Sequence, residues 1–248
     1  MKSILSIKDL RKIYHTEHDE IYAVDNFSFD LQKGDFVSIV GPSGCGKSTI
    51  LSILCGLLDK SSGEINYDTD IKFGYMLQND SLFPFRTILD NCLLGLEING
   101  NLNDDTKNYV LNLLETYGLK DFINKYPDTL SGGMRQRVAL IRTLATKPDI
   151  LLLDEPFSAL DYQSRLAVSD DVYKILKKEK KSAIMVTHDL AEAISMSDKI
   201  IVLSQRPSCV KNVYDIKLTN KSTPIENRKA KEFTEYYDAI WKDIDFHV

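Results

Sequence analysis

One glycine-rich segment constrains the fold of this chain more than any other feature of its sequence. Residues 41–48 read GPSGCGKS and match the pattern GxxxxGK[ST]. An apolar run at 36–40 precedes the segment, and apolar residues at helical spacing follow it from residue 50 to residue 58. A strand, a tight glycine turn and a helix in direct succession predict a βαβ-type α/β domain with a parallel sheet.

The same segment has the chemistry of a phosphate-binding loop (P-loop). Backbone N–H groups and the start of the next helix converge on phosphate oxygens, and glycines permit the close approach. We expect Lys47 to reach the β- and γ-phosphates of a nucleotide and Ser48 to ligate Mg²⁺. The candidate binding residues, called the phosphate loop below, are Gly41, Pro42, Ser43, Gly44, Cys45, Gly46, Lys47, Ser48 and Thr49. A glycine turn without a ligand is the alternative, which the flanking strand and helix disfavour.

Two acids at the end of an apolar run form a second candidate set. Residues 150–155 read ILLLDE, which predicts a buried strand that projects Asp154 and Glu155 toward the phosphate loop. Asp154 is expected to hold the metal through water, and Glu155 to act as the base that activates the attacking water. A helix N-cap is the alternative role for two such acids. His188 follows the apolar run 183–186 and is a candidate γ-phosphate sensor, with a structural histidine as the alternative.

The remaining pattern divides the chain into lobes of one domain, residues 1–248. Short strands are predicted in the N-terminal region at 4–7, 22–24, 26–31, 36–40 and 65–67. They indicate an N-terminal antiparallel β subdomain. Helical spacing up to Gly118 and again at 133–146 predicts a helical subdomain over about 80–146. We expect the core and β lobe to occupy about 1–79 and 147–210, with further parallel strands at 150–153, 183–186 and 200–203.

The C-terminal part combines a polar stretch with an amphipathic one. Residues 205–231 are polar and rich in Lys and Asn, which predicts a surface loop. Apolar and aromatic residues at helical spacing then predict an amphipathic helix at about 226–246. We expect this helix to dock on the core, and a partner-binding helix is the alternative.

Composition narrows the class of protein. The 36 Asp and Glu residues exceed the 31 Lys and Arg residues, and a net charge of -5 disfavours a nucleic-acid binder. The sequence has neither a signal peptide nor an apolar stretch of membrane-spanning length, so we expect a soluble cytosolic chain. The cysteines lie far apart without a CxxC pair, which predicts reduced thiols at Cys45, Cys55, Cys92 and Cys209.

A second serine and glycine segment makes the chain recognisable. Residues 130–134 read LSGGM and precede a predicted helix, so the chain has two helix starts suited to anions. Gln78 follows a predicted strand at 71–77, and residues 158–161 read SALD just past Glu155. In this order along the chain, these motifs resemble the nucleotide-binding subunit of an ATP-binding cassette (ABC) transporter over residues 3–206.

The resemblance implies a P-loop NTPase core that binds and hydrolyses ATP with Mg²⁺, and it assigns roles residue by residue. Tyr14 stands at the place of the aromatic residue that stacks on adenine. Gln78 matches the Q-loop residue near Mg²⁺, alongside Ser48 and Asp154. His188 matches the switch histidine, and Asp161 lies in the loop that links two protomers. The family's signature loop corresponds to Ser131, Gly132, Gly133 and Met134.

The resemblance also implies partners. In this family the signature loop contacts the γ-phosphate of ATP held by the other protomer, so two copies form an ATP-sandwich homodimer. Its opening and closing would drive integral membrane permease subunits from the cytoplasmic face of the cell membrane. Met134 departs from the more general glutamine, whereas the Ser131 hydroxyl and the two glycines that can bind phosphate are present.

A finer resemblance concerns the kind of transporter. The chain resembles the importer branch for nitrate, sulfonates, taurine and pyrimidine precursors. This resemblance lies in residues 82–91 (LFPFRTILDN), in residues 94–98 (LGLEI) and in the pair Arg206-Pro207. Phe85 stands where that branch often has Trp. Such importers work with an extracellular solute-binding protein. The sequence does not identify the solute. A non-transport ABC ATPase and a nucleotide-gated binding module with little turnover are the alternatives.

Overall fold

The structure is a computed structural model that describes residues 3–244, and its strands form two sheets. The first sheet is antiparallel with the order β2-β1-β4, made of β1 Ser3–His15, β2 Glu20–Gln32 and β4 Ser62–Tyr67. The second has the order β5-β6-β7-β3-β8-β9, made of β3 Phe36–Val40, β5 Phe73–Met76, β6 Ile150–Asp154, β7 Ser182–Val186, β8 Lys199–Leu203 and β9 Val210–Asp215. Its first five strands run parallel, and β9 pairs antiparallel with β8. The predicted mixed α/β fold with a parallel sheet and an antiparallel N-terminal sheet is confirmed.

Helices accompany the sheets and bury their apolar faces in three clusters. They are α1 Lys47–Leu54, α2 Ile88–Ile98, α3 Asp104–Thr116, α4 Gly132–Ala145, α5 Tyr162–Lys178, α6 Leu190–Met196, α7 Pro224–Asn227 and α8 Lys231–Asp243. Every residue of β3, β6 and β7 is buried, because neighbouring elements cover both faces of these central strands. This burial explains why the three strands read as continuous apolar runs in the sequence.

The N-terminal strands are longer than their sequence pattern predicts. Both β1 and β2 span 13 residues, whereas the apolar runs that predict them are interrupted. Register shifts interrupt the β1–β2 pairing, and Asp9 and Asn26 adopt positive φ angles of 49° and 54°. Such irregularities move side chains out of strict alternation, so the period-two signal fails although pairing continues.

The helix after the phosphate loop is shorter than the apolar spacing indicates. It ends at Leu54, and Gly56 adopts a positive φ of 76° while its N–H bonds to the carbonyl of Ile53. A left-handed glycine is a common helix terminator. Leu57, which the periodicity assigns to the buried face, is therefore 67% exposed.

The C-terminal region departs from its prediction at two points. The stretch at 205–231 contains β9 and α7 and is not one surface loop. Strand β9 has no clear alternation and forms because β8 offers an edge to pair with. The helix predicted at 226–246 begins at Lys231, because α7 precedes it as a separate turn. Residues 245 and 246 of the prediction lie outside the described residues.

Helix α8 packs on the core, as expected. Ile240 and Ile244 are buried in a cluster that includes Leu190 and Ile194 of α6. The four cysteines are free thiols, as predicted. Within residues 3–244, no helix combines the length and apolar character needed to cross a membrane.

Candidate functional site

The predicted site residues follow the carboxyl ends of parallel strands. The phosphate loop follows β3, the two acids lie at the end of β6, His188 follows β7, and Gln78 follows β5. Parallel strands end at the same edge of a sheet, which is where ligands bind in open α/β folds. The strand order β5-β6-β7-β3 therefore brings segments distant in sequence to one edge.

The phosphate loop has the backbone that its glycines permit. Gly44 and Gly46 adopt φ angles of 73° and 114°, in the left-handed region that side chains rarely occupy. A Cβ atom at Gly46 would lie 2.9 Å from the carbonyl oxygen of Ala23. A cavity of about 310 Å³ opens over the loop, lined by Ser43, Gly44, Gly46, Lys47, Ser48, Thr49, Glu155 and Arg206. Cys45 belongs to the loop but is buried beneath it.

Lys47 is the first residue of α1 and is 6% exposed. Its ammonium donates hydrogen bonds of 2.9 Å to the carbonyl oxygens of Gly41 and Pro42. The charged group is thus satisfied by the loop itself while remaining on the wall of the cavity. A cation held in this way is suited to a phosphate group entering the cavity.

Asp154 forms an oxygen-rich cluster with a neighbour from another strand. Ser48 Oγ donates to Asp154 Oδ1 at 2.9 Å, and the Tyr75 hydroxyl donates to Asp154 Oδ2 at 3.0 Å. Burial raises the pKa of Asp154, while these two hydrogen bonds act in the opposite direction. Burial and the adjacent Asp154 raise the pKa of the Tyr75 phenol well above its usual value, so Tyr75 stays a donor.

Sequence reasoning missed Tyr75. It lies within a predicted strand, and the sequence contains no motif around it. Its role follows from the parallel pairing of β5 with β6, in which Tyr75 is aligned with Leu152. The only signal for Tyr75 in the sequence is the strand alternation of the run at 71–77. Alternation does not identify Asp154 as the hydrogen-bond partner of Tyr75.

The Ser48 and Asp154 oxygens fit a Mg²⁺ ion. Mg²⁺ prefers oxygen ligands and usually takes few from the protein, completing its shell with phosphate oxygens and waters. Among the described side chains, no group of three or more His, Cys, Asp or Glu is arranged to hold a metal ion. The Ser48 hydroxyl and the Asp154 carboxylate supply two oxygens of the kind that Mg²⁺ prefers.

Glu155 forms a small polar cluster with two residues from neighbouring strand ends. Gln78 Nε2 donates to Glu155 Oε2 at 3.3 Å and to Ser158 Oγ at 3.5 Å. His188 Nδ1 lies 3.2 Å from the same Glu155 oxygen. The backbone of Glu155 adopts a positive φ of 44°, which is uncommon outside glycine and is typical of functional positions. Gln78 and His188 thus both contact the Glu155 carboxylate.

Tyr14 lies on β1, beside the phosphate loop. Its hydroxyl is 3.4 Å from Thr49 Oγ1, and the Lys12 ammonium lies 5.1 Å from the centre of its ring. The ring is half-buried. This position is compatible with an aromatic platform next to the loop.

The signature loop lies in a different place from the phosphate loop. Ser131 caps α4 by accepting a hydrogen bond from the backbone N–H of Met134 at 3.3 Å, and Gly133 is buried. Gly132 lines a separate cavity of about 330 Å³ together with Gln78 and Leu160. Neither Ser131 nor Met134 lines the cavity over the phosphate loop.

Asp161 is an exposed helix cap. Its carboxylate accepts a hydrogen bond from the backbone N–H of Ser164 at 3.1 Å and thereby begins α5. Hydrogen bonds from Ser164 hold the pKa of Asp161 below its usual value. The preceding Leu160 packs next to Gly132, so Asp161 lies near the signature loop of its own chain.

Comparisons with known proteins identify the family of this chain. The family described as "ABC transporter" matches residues 24–158. The ABC transporter ATP-binding protein YtlC of Bacillus subtilis (strain 168) is 43% identical over 98% of this chain and 96% of its own length. The aliphatic sulfonates import ATP-binding protein SsuB of Bacillus cereus is 38% identical over 98% of this chain and 96% of its own length.

Solved structures match as well. A dimeric ATP-binding cassette in a post-hydrolysis state, bound to ADP and Pi, has a TM-score of 0.72 and 31% identity, with 86% of this chain and 99% of that chain covered. The family match spans more than half of the chain, and relatives at 38% and 43% identity align along nearly all of it. This chain therefore belongs to the ABC transporter family, as an ATP-binding protein that hydrolyses ATP.

Proposed function

We propose that this chain is the motor subunit of an ABC importer that takes up a small solute through partner permease subunits. The observation that carries the proposal is the meeting of Lys47, Asp154 and Glu155 at one sheet edge, each on the segment that the family resemblance assigns to it. The import direction is supported by relatives named for import of sulfonates, nitrate and taurine.

The proposed ATP site is the cavity over the phosphate loop. Lys47 and the loop N–H groups bind the β- and γ-phosphates, and Tyr14 stacks on the adenine. Ser48 and Asp154 would hold Mg²⁺, with Gln78 as the third protein residue near it. The ion would neutralise charge that develops on the phosphate oxygens.

Glu155 is the proposed general base. A water molecule attacks the γ-phosphorus, Glu155 accepts a proton from that water, and the bond to the β–γ bridging oxygen breaks, which yields ADP and phosphate. Gln78 and His188 both contact Oε2 of Glu155, so we propose that Oε1 faces the water. His188 then orients the carboxylate and senses the γ-phosphate.

A homodimer is proposed because the two anion-binding helix starts of one chain line different cavities. In the dimer, Ser131, Gly132, Gly133 and Met134 of one copy close the ATP site of the other, with Asp161 in the loop between protomers. A solved relative is described as dimeric, which supports this arrangement. We also propose that residues 1–248 form one ATPase domain, with a helical subdomain at about 80–146 and the core and β lobe at about 1–79 and 147–210.

The permease-binding surface is proposed to be the loop at 78–86. Phe83 and Phe85 are 39% and 73% exposed, and their rings contact each other at 5.4 Å between centres. Exposed aromatic pairs are enriched at protein interfaces. The subunit would then lie on the cytoplasmic face of the cell membrane. An extracellular solute-binding protein would deliver the solute to the permease. We do not expect this chain to bind nucleic acid.

The import proposal is tested in proteoliposomes that contain this subunit and the membrane subunits that co-purify with it. We expect ATP-dependent uptake of a sulfonate, nitrate, taurine or a pyrimidine precursor when the matching solute-binding protein is added. Phe85→Ala should reduce uptake by about fivefold or more, because a truncated interface anchor costs about 1 kcal/mol or more. The ATPase activity of the isolated subunit should stay unchanged.

Leu57→Ala is the matched control for that experiment, since Leu57 is 67% exposed, lies just past the end of α1 and is outside the loop at 78–86. Its uptake should equal that of the wild-type complex. ATPase activity without co-purifying membrane subunits or any ATP-dependent uptake would contradict the importer and favour a non-transport ABC ATPase. ATP binding with negligible turnover would favour a nucleotide-gated module.

Replacement of Tyr75 tests the proposed metal site. Tyr75→Phe removes the donor to Asp154 Oδ2, so the carboxylate loses a fixed orientation. We expect the Mg²⁺ concentration that half-saturates the binding of a fluorescent ATP analogue to rise by about tenfold. Binding measured without Mg²⁺ should stay the same.

Tyr109→Phe is the matched control for Tyr75→Phe. The Tyr109 hydroxyl also donates to a carboxylate oxygen at 3.0 Å, that of Glu179, which lies at the end of α5. Its removal should leave the Mg²⁺ dependence unchanged. Equal Mg²⁺ dependence in both variants would show that Tyr75 does not position Asp154 for the metal.

A further inference from the structure

A short segment packs against the phosphate loop, and only one of its residues, Arg206, lines the cavity over that loop. Residues 203–208, called the supporting segment, begin at the last residue of β8, which is the neighbour of β3 in the sheet. The segment meets three glycines of the loop. Cβ atoms built at Gly41, Gly44 and Gly46 would lie 3.1 Å, 3.6 Å and 3.3 Å from atoms of Leu203, Arg206 and Ser208, respectively. One continuous segment therefore backs the loop along its length.

The supporting segment is anchored at its far end. Ser208 is fully buried, and its backbone N–H and hydroxyl both donate to the carbonyl oxygen of Ala23, at 3.2 Å and 3.1 Å. The N–H of Asp25 donates to the Ser208 carbonyl at 2.8 Å. These bonds join the segment to β2 of the antiparallel sheet. Because β8 also pairs with β3, the segment is fixed relative to the strand that leads into the loop.

Arg206 connects this anchored segment to the loop. Its Nη2 and Nε donate to the Gly44 carbonyl oxygen at 2.8 Å and 3.3 Å. The N–H of Cys45, which belongs to the same peptide unit, donates to the Pro42 carbonyl at 3.3 Å. A peptide unit is planar, so these bonds hold it at both ends.

The connection continues to the catalytic lysine. The Pro42 carbonyl oxygen that accepts from Cys45 also accepts from Lys47 Nζ at 2.9 Å. A continuous set of hydrogen bonds thus runs from Arg206 through the Gly44–Cys45 peptide and Pro42 to Lys47. Without Arg206, Gly44 would be free to sample other conformations, since glycine has the widest backbone freedom.

We propose that Arg206 is a positioning residue that holds the phosphate loop in its ATP-binding conformation through the Gly44 carbonyl. The inference rests on the proposed role of this loop as the ATP phosphate site. Preorganisation of a binding loop increases affinity, because less conformational freedom is lost when the ligand binds. Arg206 is exposed, and its contribution is therefore to the order of the loop rather than to the stability of the core.

The experiment measures KM and kcat for ATP, and the affinity for a fluorescent ATP analogue, in Arg206→Ala and Arg206→Lys. For Arg206→Ala we expect KM and the dissociation constant to rise by about three- to tenfold, as for the loss of a charged hydrogen bond that water partly replaces. The kcat should stay within about twofold, since the hydrogen bonds of Arg206 go to the Gly44 carbonyl and the proposed role concerns binding. Arg206→Lys should restore part of the affinity, because lysine donates a single hydrogen bond where arginine donates two.

Lys60→Ala provides a matched control. Lys60 is also an exposed cation that donates to a glycine carbonyl, that of Gly63 at 2.7 Å, and it does not line the phosphate cavity. Its KM should equal that of the wild type. Thermal unfolding of each variant shows that it is folded at the assay temperature.

Three outcomes would overturn the inference. The first is an unchanged KM in Arg206→Ala. The second is a combination of two results: Arg206→Lys has wild-type affinity, and the affinity loss of Arg206→Ala vanishes at high ionic strength. That combination would indicate a through-space charge effect. The third is an affinity loss that occurs only where the variant begins to unfold. Normal ATP binding by Lys47→Ala would instead overturn the proposed function of the loop, so the two failures are distinguishable.

Discussion

The Glu155→Gln variant is expected to bind ATP as the wild-type protein does and to hydrolyse it about 10²–10⁴ times more slowly, the range typical for loss of a general base. Glutamine preserves the size and polarity of the side chain, so contacts at the former Oε2 position can persist. An amide cannot accept the proton from the attacking water at neutral pH. Binding persists because Lys47 and the loop N–H groups are unchanged.

The same variant should accumulate as an ATP-bound dimer. If ATP closes two copies and hydrolysis reopens them, a variant that cannot hydrolyse ATP stays closed. Size-exclusion chromatography with light scattering should show about twice the monomer mass in ATP and monomer in ADP. The wild-type protein should show less dimer under the same conditions, since its ATP turns over.

Glu115→Gln is the control for the glutamate variant. Glu115 pairs with Lys120 on the surface, and its replacement should change neither turnover nor mass. Unchanged turnover in Glu155→Gln would remove Glu155 from the mechanism. Slow turnover without any ATP-dependent dimer, in the presence of the membrane partners as well, would contradict the proposed ATP sandwich.

The Lys47→Ala variant is expected to lose ATP affinity. A charged hydrogen-bonding group contributes about 1.5–3 kcal/mol to the binding free energy, so its loss should raise the dissociation constant roughly 10- to 200-fold. The change removes the cation on the wall of the cavity and the two hydrogen bonds to the Gly41 and Pro42 carbonyls. Titration with a fluorescent ATP analogue measures the loss.

Two comparisons separate binding from folding in this variant. Lys47→Arg keeps the charge at a buried position, and it should retain more affinity than Lys47→Ala if electrostatic attraction to phosphate dominates. Circular dichroism and thermal unfolding check that both variants fold. Wild-type affinity in a folded Lys47→Ala protein would exclude the loop as the phosphate site.

Much of the candidate site is predictable because its chemistry is local. In residues 41–48, the glycines, the lysine and the serine all belong to one turn, so their spacing alone indicates a phosphate loop. The acids at 154 and 155 are predictable for a similar reason, since an apolar run ends directly before them. Burial of the central strands on both faces makes such runs easy to recognise.

Other parts of the fold are not predictable from a local pattern. Strand β9 forms on the edge that β8 provides, and its own sequence lacks alternation. The long pairing of β1 with β2 continues through register shifts that disturb the period-two signal. The early end of α1 depends on the left-handed conformation of Gly56, which the apolar spacing beyond it conceals.

The sequence by itself determined the family, the phosphate loop, the two acids and the succession of strands and helices, because each is encoded in neighbouring residues. Only the tertiary structure decided that Tyr75 bonds to Asp154, 79 residues away, and that Arg206 bonds to Gly44, 162 residues away. Both contacts depend on the strand order β5-β6-β7-β3-β8, which sets which strand ends become neighbours. Local periodicity reports which face of an element is buried, but the order of strands in a sheet is selected by the packing of the whole chain.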